Sequence, residues 1–253
     1  MINNKYDIRK YFFMAAKTRL YFSEKIQSDL ISHLTRNQSH YVKDVMRLKI
    51  GERFSVFNEQ GEWNAAIQNY EKGNACIKIL EKVRNKENEK NIWLAFSLIK
   101  KNPLDMMIQK ATELGIQKFI PILSERSIVR NINNERIKKI IVGASEQSNR
   151  ISIPEILKPK SLKVFLKNFP KDGKLIFCDI NSNNSELKNS ALKKNNKTPI
   201  CILIGPEGDF SESERQSIID IDQSFSLSLA SNILRAETAA IAAISVVNFY
   251  LDS

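Results

Sequence analysis

Residues 200–214 read Ile-Cys-Ile-Leu-Ile-Gly-Pro-Glu-Gly-Asp-Phe-Ser-Glu-Ser-Glu. Five apolar residues without a polar break suit a strand covered on both faces, as in a parallel sheet. Ser211 and Glu214 have the spacing of a capping box, and Phe210 stands at the staple position before it, so a helix begins there. Between strand and helix lies Leu203-Ile204-Gly205-Pro206-Glu207-Gly208-Asp209-Phe210. Its two glycines bracket Pro206-Glu207 and let backbone N–H and C=O groups face a ligand without side-chain obstruction. The loop is neither a GxGxxG fingerprint nor a P-loop. On chemistry alone a ligand-facing bend and an ordinary strand-to-helix turn fit it equally.

Working outward, the same alternation repeats. Strands are expected at Ile92–Leu98, Phe119–Leu123, Leu175–Cys178 and Phe225–Leu229, and helices at Leu104–Leu114, Arg136–Ser145, Ser211–Ile221 and Arg235–Tyr250. Leu104, Met107, Ile108, Ala111 and Leu114 keep the three-and-four spacing of an amphipathic helix, which Gly115 closes. Such an order predicts an α/β domain with a mostly parallel sheet between helices. Asn181–Lys197 is a polar insert that reads as a surface loop. Ahead of this domain the pattern changes to short strands at Arg53–Phe57, Glu62–Tyr70 and Ala75–Leu80, separated by Asn58-Glu59-Gln60-Gly61 and Glu71-Lys72-Gly73-Asn74, which predicts a small antiparallel barrel or sheet. Glu81–Lys90, with Val83 as its only apolar residue, reads as a linker. The expected division is residues 1–84 and 88–253.

The chain has 253 residues, 39 Lys and Arg against 28 Asp and Glu, and a net charge of +11. A hydrophobic fraction of 42% supports a packed core and excludes a wholly disordered chain. Both halves are basic, which favours a nucleic-acid partner. Cys76, Cys178 and Cys201 are scattered, without zinc-ligand spacing, and only His33 and His40 could join them, so no metal centre is expected. Ala239–Val247 is far shorter than the roughly 20 residues of a membrane span. With no secretory signal at the start, a cytoplasmic protein without membrane attachment is expected.

A second unit follows the last expected strand: Leu229-Ala230-Ser231-Asn232-Ile233-Leu234-Arg235-Ala236-Glu237-Thr238-Ala239. Arg235 stands where a helix of small and apolar residues begins, and such a charge needs a partner or a ligand. A salt bridge to Glu207 or Glu237 would satisfy it, and a guanidinium has donors enough for a substrate as well.

Together with the GPEG loop, Ile233–Ala239 resembles the ribosomal RNA small-subunit methyltransferase E family, whose members modify N3 of a uridine in 16S rRNA. Four further segments carry the resemblance: Asp105–Gly115; Ser124-Glu125-Arg126; Glu146-Gln147 with Arg150; and the opening Arg9-Lys10-Tyr11-Phe12 with His40–Gly51. The resemblance implies an N-terminal PUA-like β-barrel that holds RNA and a C-terminal trefoil-knotted SPOUT methyltransferase domain. It implies S-adenosylmethionine as cofactor, clasped by Cys178 and Asp179, by Leu203, Ile204, Gly205, Pro206, Glu207 and Gly208, and by Leu229, Ala230, Asn232, Ile233 and Leu234. It also implies a homodimer with the cofactor near the subunit interface, acting on 16S rRNA within a small ribosomal subunit or its assembly intermediate. The apolar stripes of the helices at 104–114 and 235–250 suit a core as well as an interface, so the dimer rests on the resemblance.

Several positions depart from the family pattern. Asp209 replaces a common second glycine, Ala230 replaces a glycine, and Cys178-Asp179 replaces a frequent His-Pro or Glu pairing. Ala230 is harmless at negative φ and strained at positive φ. For the chemistry, charge develops on the uracil ring as N3 attacks, and Arg235 is the candidate to stabilise it. Glu207 and Glu237 are candidate proton acceptors, neither assigned. Arg9, Lys10, Lys17, Arg19, Lys43 and Arg47 are candidate phosphate contacts, with Arg126 and Arg150 guiding the strand. The alternatives are a knotted methyltransferase acting on another RNA position and a nonenzymatic RNA-binding protein.

Overall fold

The computed structural model describes residues 18–86, 88–182 and 198–252. These residues form two compact units, the first including Asn149–Ser152 and the second taking the rest of the chain from Asn88 onward.

The first unit holds a five-stranded sheet in the order β1-β3-β4-β5-β2. Its strands are β1 (Arg19–Tyr21), β2 (Ile31–His33), β3 (Arg53–Asn58), β4 (Gly61–Glu71) and β5 (Asn74–Asn85), with helix α1 (Arg36–His40) running into a π-helical turn at Tyr41–Val45. β1 lies parallel to β3, while the β3-β4-β5 meander and β2 are antiparallel. The two expected turns form. Lys72 and Gly73 both take positive φ, the geometry that matches strand twist in a tight hairpin. Gly61 is sterically required, because a Cβ there would lie 2.3 Å from the Arg84 carbonyl oxygen. Phe54, Val56, Trp63, Ala65, Ile67, Ile77 and Ile79 fill the core.

Residues 81–85, expected in a linker, continue β5. There Arg84 and Arg19 both reach Glu62, which is 3% exposed. The same two guanidiniums donate to the carbonyls of Asn149 and Arg150, which ties that segment to this unit. This end of the strand is held by pairing and charge, so its polar composition does not end it.

The second unit is a parallel sheet in the order β12-β10-β11-β6-β7-β8, with β9 also paired to β7. Its strands are β6 (Ile92–Ser97), β7 (Lys118–Leu123), β8 (Glu155–Ile156), β9 (Lys160–Ser161), β10 (Lys174–Cys178), β11 (Ile200–Ile204) and β12 (Ser224–Leu227). Helices α2 (Lys101–Glu113), α3 (Asn134–Gln147), α4 (Leu162–Lys167), α5 (Glu212–Ile219) and α6 (Ala236–Asp252) cover it. Alternate residues of each strand enter opposite cores, as the pleat demands. Leu94, Phe96, Ile200, Ile202 and Ile204 meet α2, α3 and α6. Ala95, Ile120, Ile122, Cys201 and Leu203 meet α4 and α5. Burial on both faces is why these strands are apolar throughout. The small side chains of Ala236, Ala240 and Ala243 lie in that first core and let α6 approach closely. Ends of the expected elements move by a few residues: α6 starts one residue after Arg235, and β12 ends at Leu227, two residues before Leu229.

Candidate active site

The C-terminal ends of β10, β11 and β12 lie side by side, the position at which open parallel sheets bind ligands. A cavity of about 340 Å³ opens there, within the usual range for small-molecule sites. Three loops and the start of α6 wall it.

The loop after β11 is built by local chemistry. The Asp209 N–H donates to the Pro206 carbonyl at 3.0 Å, closing a four-residue turn. Asp209 takes φ +58°, and its Oδ1 accepts the Phe210 N–H at 2.8 Å. The left-handed conformation explains why glycine suits this position, and the short acceptor explains why aspartate tolerates it. Phe210 does not act as a staple, since the position that would receive it is Arg215. Its ring is buried and meets Phe177 edge-on with centroids 5.7 Å apart. Gly205 makes room for that ring, because a Cβ there would lie 3.2 Å from it. The Ser211–Glu214 capping box forms in full and starts α5.

After β10, Asp179 is buried. Its Oδ2 accepts from Arg215 Nε at 3.2 Å and Nη2 at 2.7 Å, and its Oδ1 from the Asn181 N–H at 2.9 Å. The hydrogen bond that Arg215 donates to Asp179 raises the Arg215 pKa above its ordinary value. Burial pushes the Cys178 thiol up to about 12, which makes it a neutral wall and not a nucleophile. The loop after β12 supplies Leu229, Ala230, Asn232, Ile233 and Leu234. Ala230 is absent from the positive-φ residues, so its methyl group causes no backbone strain.

Arg235 lines the cavity too, as the residue capping α6, with its carbonyl accepting the Ala239 N–H at 2.8 Å. Among the described residues its guanidinium has no ion-pair partner, and the bridges to Glu207 or Glu237 do not form. Glu207 is exposed on the lining; Glu237 lies in the first turn of α6, outside it. The charged lining is Asp179, Glu207, Asp209 and Arg235, three carboxylates against one cation, with Asp179 committed to Arg215.

Of the expected clasp, Leu203 and Gly208 are not on the lining. Leu203 is fully buried beneath it, and Gly208 offers its carbonyl to Arg126 Nη1 at 2.9 Å. The Ser124-Glu125-Arg126 turn is therefore joined to the loop, a link reinforced by the Glu125 N–H donating to Glu214 Oε1 at 2.9 Å. Ile180, Asp209, Leu227, Ala236 and Ala239 join the lining unforeseen. They follow or flank the expected positions, and strand endings good to one or two residues would have found most of them.

The expected RNA contacts divide. Arg9, Lys10 and Lys17 lie outside the described residues. Lys43 and Arg47 are exposed, Lys43 lying 5.6 Å from the Tyr70 ring centroid. Arg19 is spent on Glu62 and stacks 4.3 Å from the centroid of Phe57. Arg150 is buried, donating to Ser152 Oγ at 2.8 Å.

A doubly covered parallel sheet with such a cavity, preceded by a small sheet domain, is the class that sequence comparison finds. The model of an RNA methyltransferase domain matches residues 86–248, and that of an RNA methyltransferase PUA domain matches residues 34–80. The ribosomal RNA small subunit methyltransferase E of Rickettsia conorii is 34% identical over 233 residues, covering 90% of this chain and 94% of that protein. Its namesake in Synechocystis is 32% identical, covering 87% and 73%. The chain belongs to the ribosomal RNA small subunit methyltransferase E family, and its second unit is an α/β SPOUT-like methyltransferase domain. Two solved structures agree. The Neisseria gonorrhoeae member bound to S-adenosylmethionine is 28% identical with a TM-score of 0.80, covering 92% of this chain and 97% of that one. A Legionella pneumophila protein with bound S-adenosylmethionine is 29% identical with a TM-score of 0.82 and the same coverage.

Proposed function

We propose that the protein transfers a methyl group from S-adenosylmethionine to N3 of a uridine in 16S rRNA. The observation that carries this reading is the cavity at the three strand ends, lined by the loops of the family motifs, with an uncommitted guanidinium at its edge. The lining suits the cofactor: aliphatic walls from Ile204, Leu227 and Leu229 accept an apolar surface, and the carboxylate excess favours a cation. When bound, the cofactor supplies an electrophilic methyl group on a sulfonium sulfur.

The chain's own contribution is placement and charge. Asp179, fixed by Arg215, holds the loop after β10, and the Pro206–Asp209 turn holds the loop after β11. N3 must lose its proton before or during attack, and the negative charge this leaves spreads over N3, O2 and O4 until the new N–C bond forms as the S–C bond to the methyl group breaks. Arg235, with five donors and no ion-pair partner among the described residues, stabilises that charge. Glu207 on the lining is nearer to hand than Glu237 as a proton acceptor, and neither is assigned.

Residues 1–84 as a PUA-like barrel and 88–253 as a trefoil-knotted domain complete the proposal. In support of the knot, the last three cavity loops and α6 arise from neighbouring strands β10, β11 and β12 that are crossed out of chain order. For the RNA, Lys43 and Arg47 are exposed, and Arg9, Lys10 and Lys17 remain candidates. A homodimer is supported by the outward side of α6: no charged residue occurs from Thr238 to Leu251, and Phe249 is 71% exposed. We further place the reaction in the cytoplasm, on the small subunit or its assembly intermediate. Among the described residues no helix is long and apolar enough to cross a membrane.

The deciding experiment incubates purified protein, labelled cofactor and small subunits, then identifies the methylated nucleoside by mass analysis. N3-methyluridine in 16S rRNA is expected. Label on another base or another atom would select a different member of the knotted class, and no label would favour a binding protein.

A further inference from the structure

A second open groove, of about 990 Å³, lies within the methyltransferase unit and is separate from the cofactor cavity. Leu123, Leu162 and Ile221 are among its apolar residues, and Arg130, Lys163 and Lys167 bring three cations to it. Two carboxylates also line it, Glu125 and Glu214. Glu214 is committed, accepting the Glu125 N–H on Oε1 at 2.9 Å and the Ser211 N–H on Oε2 at 3.1 Å. Lys163 and Lys167 stand one turn apart on α4 and so share a side.

The sequence around α4 supplies an independent observation. From Ile156 to Lys171 there are five lysines, at 158, 160, 163, 167 and 171, and no acidic residue. None of the five has an ion-pair partner among the described residues. With no acidic residue inside it, the run gives this side of the unit a local positive field, which favours a polyanion.

The groove also has a position relative to the chemistry. Its edge is the Ser124-Glu125-Arg126 turn, and Arg126 donates to the carbonyl of Gly208 in the cofactor loop. A chain lying in the groove would thus run up to the outer side of that loop.

We propose that this groove carries the phosphodiester backbone of the substrate RNA, with Lys163, Lys167 and Arg130 as phosphate contacts. This rests on the RNA methyltransferase reading above and adds phosphate contacts, Lys163, Lys167 and Arg130, that lie outside the family motifs. Phosphate contacts position a strand without reading its bases, which suits lysine side chains on an open rim.

The test measures binding of a 16S rRNA transcript to the Lys163→Ala/Lys167→Ala double variant across a salt series. Affinity should fall at least about tenfold near 0.1 M salt, and the slope of log affinity against log salt should become shallower by about 2. Affinity for S-adenosylmethionine should be unchanged, which also shows that the variant is folded. At saturating RNA kcat should hold while KM for RNA rises, and Lys163→Arg/Lys167→Arg should restore the parent. Parental affinity and slope in the alanine variant would overturn the proposal. So would unchanged binding to naked RNA with weakened binding to intact small subunits, since a ribosomal protein would then occupy the groove. Failure of the uridine assignment is a separate result, an active parent that leaves N3 unmethylated, and the salt slope decides the groove in that case as well.

Discussion

Arg235 is exposed at the cavity edge and has no ion-pair partner among the described residues, so removing it leaves no buried charge stranded. Its substitution should therefore act on the reaction more than on the fold. Arg235→Ala should lower kcat roughly a hundredfold, the scale of about 3 kcal/mol seen when one fixed donor to a developing oxyanion is lost. Calorimetry should find cofactor affinity within a few-fold of the parent; retained turnover would remove Arg235 from the transition state. Arg235 was legible because its motif places a lone cation before an alanine-rich helix. Asp179 was legible as a loop residue but not as half of an ion pair, because Arg215 approaches it from 36 positions away. Asp209 shows the same limit in the backbone: its departure from glycine is visible in the sequence, while the +58° φ that gives it meaning is not.

The loop from Gly205 to Phe210 and helix α5 behave as one element, since the turn, the Phe210 anchor and the Ser211 cap are contiguous. The stress point is Gly205, where a Cβ would lie 3.2 Å and 3.3 Å from two carbons of the Phe210 ring. Gly205→Val should push the ring from its place against Phe177 and cost about 1–3 kcal/mol, the usual penalty of overpacking. A lowered urea midpoint together with weaker cofactor binding is expected, and a midpoint equal to the parent's would show that the ring can give way freely. Elements with a clear period were legible: the apolar runs of β6 and β11, and the three-and-four spacing of α2. Those without one were not. β8 and β9 have two residues each, too few to display alternation, and α4 has only six. Residues 81–85 look like a linker because they carry no apolar alternation, whereas Glu62 and the ladder to β4 hold them in β5.

For the whole molecule, the question is what covers the outward side of α6. Thr238, Ala242, Ser245 and Phe249 follow the spacing of one helical stripe, with no charge to keep it in water. Ile233 and Ile180, both on the cavity lining, are 85% and 59% exposed, which adds apolar surface at the cofactor site itself. Single exposed apolar residues are ordinary, but a chargeless helix side together with an apolar cavity rim is the pattern of an interface. A second copy of the chain is the occupant in our reading, and the isologous contact of a two-fold dimer would pair α6 with itself or with its neighbour's rim. Phe249→Asp should then halve the mass measured by light scattering at micromolar concentration. Because the Phe249 side chain is already in solvent within one protomer, thermal unfolding measured below the dissociation concentration should move little. If the partner also closes the cavity rim, the monomeric variant should lose cofactor affinity in parallel with its loss of mass. A variant that keeps the parental mass would leave α6 as a solvent-facing helix and Ile180 and Ile233 as exposed residues of the cavity rim.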